Sequence, residues 1–191
     1  MTNNKRVAIV VIGLLLAVTL TVGAFWFQPW KLWTTTTINE PPPQSSSEPA
    51  QRPAEPTVVP ADFPAGPTVV AEGSFISHEH ATTGTVKLLR LTDGSTVVRL
   101  ENLSTSDGPK LQVVLSDAPV IAGSAGYHVF DDGRYLDLGP LKGNQGSANY
   151  PVPAGADIAG LSSVSIWCDR FDVSFGAAAL EATAMSTPGS P

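Results

Sequence analysis

The first pattern along the chain is an unbroken apolar run. Val7–Phe27 spans 21 residues with no charge and no proline. As a helix rising about 1.5 Å per residue, it covers roughly 30 Å, the thickness of a bilayer's hydrocarbon core. Lys5 and Arg6 stand just before it, which puts the N-terminus on the cytoplasmic side and the rest of the chain outside. Lys31, on the far flank, weighs the other way. Phe25, Trp26, Phe27, Trp30 and Trp33 gather where an interfacial aromatic belt would sit. The competing expectation is an export signal cleaved after Ala24, with Val22 and Ala24 as the small residues before the cut, although the run exceeds the usual apolar part of such a signal. Under either reading the rest of the chain is exported.

Residues 34–71 lose that apolar content. Thr, Pro and Ser tracts are followed by Pro49, Pro53, Pro56, Pro60, Pro64 and Pro67. Such a stretch buries too little to offset its ordering entropy, so it is expected to be a disordered or polyproline-like linker. Fully extended it reaches roughly 120 Å at about 3.1 Å per residue, enough for a spacer that lifts a domain off a membrane.

From residue 72 to residue 182 the pattern becomes that of short strands. Residues 85–91 (TVKLLRL) and 96–100 (TVVRL) flank an Asp93-Gly94 turn, the dipeptide favoured in hairpins. Residues 111–115, 127–130, 135–138, 147–152, 164–168 and 172–175 complete the set, separated by Gly, Pro, Asp and Asn. Residues 175–180 (FGAAAL) admit a helical turn instead. The fold class expected is all-β, a small sandwich or barrel-like domain behind an N-terminal transmembrane helix and a disordered linker. The order is then an anchor over 1–33 with its helix at 7–27, a linker over 34–71, a β-rich domain over 72–182 and a flexible tail over 183–191.

Charge removes one class of partner. Only 15% of residues are charged and the net charge is -6, with no massed basic segment, so nothing here attracts nucleic acid. The chain has one cysteine, Cys168, and therefore no internal disulfide. Strict alternation through residues 164–175 puts Trp167, Phe171, Val173 and Phe175 on a core face. Val164, Ile166, Cys168, Arg170, Asp172 and Ser174 fall on the other. Cys168 then stands at a rim where its face turns polar, with Arg170 favouring a thiolate. A bulge at Asp169 and Arg170 would break that alternation. The bland reading of Cys168 is a small buried hydrophobe.

His78 and His80 are two residues apart and would share a face of a strand. With a thiolate they make an acceptable set for copper, zinc or iron. No His follows Cys168, and Met185 lies in the tail, which argues against a blue-copper loop. Asp131 and Asp132 read as turn residues, and residues 139–146 (GPLKGNQG) as a structural loop. No nucleophile–base motif supports a hydrolase.

Several blocks, in this order, carry a resemblance. They are Gly73-Ser74-Phe75, His80-x-x-x-Gly84, Leu100-Glu101-Asn102-Leu103 and Gly108-Pro109-Lys110-Leu111. After them come Asp137-Leu138-Gly139-x-Leu141-Lys142-Gly143-Asn144-x-Gly146, Tyr150-x-Val152-Pro153 and Ile166-Trp167-Cys168-x-x-Phe171-x-Val173-x-Phe175-Gly176-x-Ala178-x-Leu180. Together they resemble the DM-thirteen domain, or electron-transfer DM domain. The resemblance covers the globular part and leaves out the anchor and linker. It implies an all-β extracytoplasmic module with a redox or electron-transfer role. That role runs through its single cysteine, either as a free thiol or as ligand to a prosthetic group such as haem. The family's cysteine corresponds to Cys168 and its early histidine to His80. Many members carry Asp where this chain has Lys110, so a role for a carboxylate there does not transfer.

The expected function is thus a single-pass, membrane-anchored redox module outside the cytoplasm, acting through Cys168, with Cys168 and His80 as the residues that would bind a prosthetic group and an unidentified envelope redox partner or ligand. Its cofactor would be haem or none. The alternative is a non-catalytic envelope binding or adhesion module in which Cys168 is merely packed.

Overall fold

The computed structural model describes residues 3–44 and 66–183. The central part of the expected linker and the expected tail from residue 184 lie outside these residues.

The apolar run forms the helix α1 (Asn3–Phe27), and no residue of Val7–Phe27 is buried. It is the one described helix long and apolar enough to cross a membrane. A 3-10 turn (Pro29–Trp33) follows and leads into β1 (Thr37–Asn39). The remaining strands are β2 (Thr68–Ser74), β3 (Ile76–Ser77), β4 (Thr83–Arg90), β5 (Thr96–Ser104) and β6 (Leu111–Ser116). They continue with β7 (Tyr135–Pro140), β8 (Gln145–Pro151), β9 (Ser163–Cys168), β10 (Val173–Ala179) and β11 (Glu181–Ala182).

They form two sheets, ordered β1-β8-β5-β4-β2-β11 and β3-β10-β9-β6-β7. Every pairing is antiparallel except β1 with β8. Val86, Leu88, Val98 and Leu100 of the first sheet meet Val113, Leu115, Val164, Ile166 and Phe175 of the second in one core. The fold is therefore all-β with two layers, as expected. The β4–β5 hairpin forms where Asp93-Gly94 predicts it. Gly94 has a φ of 83°, and the Asp93 carboxylate accepts from the Ser95 N–H at 2.9 Å and its hydroxyl at 2.6 Å.

Three local expectations fail. Residues 127–130 are not a strand; they belong to an irregular connection that lays Phe130 over Trp167, ring centroids 6.3 Å apart, on the outer face of the second sheet. Residues 175–179 continue β10 and do not form a helical turn. The third failure is the linker itself, since both of its ends are structured. Thr37, Ile38 and Asn39 pair with Gln145, Gly146 and Ser147, and β2 begins at Thr68.

β1 is held by more than its ladder. The Asn144 amide oxygen accepts from the Thr36 N–H at 2.7 Å. The Glu40 carboxylate accepts from Lys142 Nζ at 2.8 Å and from the Asn149 N–H at 2.7 Å. The Pro41 carbonyl accepts from Arg99 at 3.2 Å and the Asn149 amide at 2.9 Å. Gly143 and Gly146 supply the floor. A Cβ on Gly143 would lie 2.7 Å from both Thr36 O and the Ile38 side chain, and one on Gly146, at φ 100°, would run into Ile38 O.

Candidate functional site

The end of β9 places Cys168, and the structure corrects the expectation that it stands at a rim. Cys168 is 0% exposed and belongs to the core between the sheets, alongside Val164 and Ile166. Trp167 points the opposite way, into the outer cluster with Phe130. Both faces of β9 are covered, so all six of its residues are buried. The alternation assumed for residues 164–175 stops at the turn formed by residues 169–172, the break that would spoil the rim argument.

Within the core, Cys168 Sγ donates to the Pro109 carbonyl at 3.2 Å. Burial pushes the thiol above its ordinary range, while the Phe171 and Arg170 backbone N–H groups and the Arg170 charge pull the other way. At neutral pH the group is a neutral thiol, the less nucleophilic form. Lys110, next to Pro109, holds a left-handed φ of 61° and pairs with Asp169, so the segments before β6 and after β9 are bound together beside the sulfur. The Asp169 N–H also donates to Lys110 O at 3.2 Å.

The two histidines part company. β3 ends at Ser77, so His78 and His80 lie beyond the strand they were expected to share. His78 is 6% exposed; its Nδ1 lies 2.9 Å from Ser174 Oγ, and its ring packs against Tyr127 and Phe130. His80 lies on the Phe175 ring, centroids 3.9 Å apart. Ser174 and Phe175 are consecutive in β10, and the two imidazoles sit against these neighbouring side chains, one against the outer cluster and the other against the core. Burial lowers both histidines below the usual range, and Glu79 opposes this at His80. His128 is exposed, with Nδ1 against the Asp172 carbonyl. Among the described residues no group of three His, Cys, Asp or Glu side chains is placed to hold a metal ion.

His80 instead lines a cleft of about 370 Å³ that sequence reasoning missed. One wall is the domain: Pro109, Phe171, Val173 and Phe175. The other is the helix end: Phe27, Gln28, Pro29 and Lys31. The walls are joined by direct contacts. Phe27 stacks on Phe171 with centroids 5.7 Å apart and planes at 20°. Arg170 sits 5.3 Å from the Trp26 ring and donates to the Trp26 carbonyl. Lys31 Nζ reaches the Gly108 carbonyl at 3.3 Å and Asp107 at 3.5 Å, and Thr34 donates to Asp107 at 2.6 Å. The signal available in sequence was the Phe25–Trp33 aromatic cluster, which reads equally well as a lipid-facing belt. Glycine closes the joint from below: a Cβ on Gly108 would lie 2.7 Å from the Phe175 ring.

Cys168 does not line this cleft, yet Pro109, its hydrogen-bond acceptor, and Val173, its partner across the ladder, both do. The sulfur is one residue layer beneath it. A macrocycle ligated through Cys168 needs the sulfur to face open space, and here it faces a carbonyl inside the core. The residues do not fit haem.

Residues 74–180 match the profile of the family described as Electron transfer DM13. No curated protein and no solved structure matches the chain.

Proposed function

The chain belongs to the Electron transfer DM13 family, and from that premise we propose that it is an electron-transfer module held at a membrane by α1, its domain outside the cytoplasm and Cys168 its redox-active group. Lys5 and Arg6 ahead of the apolar run support this orientation. The observation that carries the role of Cys168 is its place directly beneath the cleft where helix and domain meet, under the Pro109 carbonyl. A neutral, covered thiol is inert until something uncovers it. The covering residues, Pro109 and the 169–172 turn, are the ones that also engage the helix end or line the cleft. The thiol is therefore masked, and its chemistry waits on local opening at that joint.

The full burial of Cys168 favours one other reading, a binding module in which the sulfur is only packing. Thiol labelling of the full chain in bilayers separates the two. Under the redox reading Cys168 labels in the native state at a rate unaffected by low urea, rises about tenfold per pH unit toward the raised pKa, and speeds up in Arg170→Ala. Labelling that instead tracks global unfolding across a urea series, in wild type and variant alike, would sink the redox reading and leave the binding module.

A further inference from the structure

The cleft has a composition that the masking of Cys168 does not require. Its apolar lining is ring-rich and comes from both sides of the joint: Phe27 from the helix, Phe171 and Phe175 from the domain. Its volume, about 370 Å³, falls in the lower part of the range for small-molecule sites, roughly 300–1,000 Å³. Its depth in a membrane is fixed by Phe27, the last residue of the apolar span, which puts the opening at the level of the lipid headgroups.

Besides Gln28 and the Glu79 carboxylate, two polar groups are spaced around this apolar lining, His80 and Lys31. His80 is half-buried against Phe175, and neither ring nitrogen bonds another described residue. Neutral imidazole offers one N–H donor and one acceptor. Lys31 brings an ammonium group to the other wall. An acyl chain would use neither group. A flat ring carrying carbonyl oxygens would use both, stacked on the aromatic side chains and accepting hydrogen bonds at its edges.

We infer that the cleft between the end of α1 and the β-domain binds the ring of a lipid-soluble quinone. The inference rests on the reading of α1 as a membrane span and names the small-molecule class of that joint; it does not depend on the role of Cys168. Entry is from the bilayer, with the tail left in lipid beside α1 and the ring drawn in alongside the stacked Phe27–Phe171 pair, toward His80.

The test uses the full chain in phospholipid nanodiscs and a fully ring-substituted benzoquinone with a decyl tail, since ring substitution prevents addition of thiols. Quenching of tryptophan fluorescence is expected to saturate, because Trp26 borders the joint. Phe171→Ala and His80→Ala are each expected to weaken binding roughly tenfold, with His80→Gln recovering part of the loss. Phe171 is 40% exposed, so its truncation leaves the core intact. Decanol, which has the tail and no ring, should fail to compete. Quenching that rises without saturation, equal affinity in His80→Ala, or competition by decanol would each overturn the inference. Cys168→Ser is expected to bind the quinone as wild type does. Saturable binding alongside a Cys168 that labels only on global unfolding would uphold this inference and sink the thiol reading; the opposite pair of results would do the reverse.

Discussion

Cys168 shows how far a side chain's chemistry depends on which face of its strand is inside. A thiol at a rim beside Arg170 would be partly ionised; the same thiol in the core is not, because desolvation outweighs the arginine. The sign of the pH dependence follows. Below the pKa of the unfolded chain, about 8.5, the thiol is protonated in both states and its full stabilising effect is present. As pH rises toward the higher folded pKa, the unfolded chain releases the proton first and stability falls. Urea unfolding at pH 7 and pH 9.5 is expected to show wild type losing stability relative to Cys168→Ser, which does not titrate. Cys168→Ala removes the donor to the Pro109 carbonyl and leaves a small void, an expected loss of about 1–3 kcal/mol in the same measurement. The cysteine's identity and neighbourhood in the chain were legible in sequence; its exposure was not. Alternation assigns an inside only where the outside is polar, and β9 is covered on both faces, so Trp167 and Ile166 gave no contrast. The histidine pair misled for a related reason: a shared face presumes a strand, and β3 stops at Ser77 before either residue.

At the level of elements, the Asp93-Gly94 hairpin signal held, while the strand expected at residues 127–130 did not form and β1 was not foreseen. The β4–β5 turn is specified within four residues and could be read directly. β1 could not, because residues 34–44 have little apolar content and their partners lie about a hundred positions away, in residues 142–149. The GPLKGNQG loop, read as structural, is that strand's dock. Gly146→Ala is expected to be the most damaging change there, since it combines an unfavourable φ with a backbone clash at Ile38. Hydrogen exchange should show residues 36–40 losing protection while β4 and β5 keep theirs. Glu40 adds a pH term. The Lys142 contact first, then the Asn149 N–H, hold its carboxyl below the usual range. Its contribution is present above the unfolded pKa, near 4.3, and fades as pH falls through the lower folded value. The pair is partly exposed, so the effect is under about 1 kcal/mol. It is measurable, after correction for intrinsic rates, as slower exchange of that segment in wild type than in Glu40→Gln at pH 7, a difference that shrinks toward pH 4.

For the molecule as a whole, the joint between helix and domain is the organising feature. Arg170 places a cation at the C-terminal end of α1 and over an aromatic ring. The two effects are worth about 0.3–1 and 0.5–1 kcal/mol at exposed positions. Arg170→Ala is expected to broaden the distance distribution between spin labels at Gly23 and Thr92 while leaving the domain's melting temperature nearly unchanged. β1 has a consequence of its own at this scale. β1 and its Pro41 contact precede the proline-rich tract and β2 follows it, so both ends of that tract are tied to the same sheet. With α1 in a bilayer as proposed, the tract's contour length cannot set how high the domain rides over the lipid; the few residues from Gln28 to Thr36 do that. Doubling residues 45–65 is expected to leave the domain's altitude where the helix end pins it.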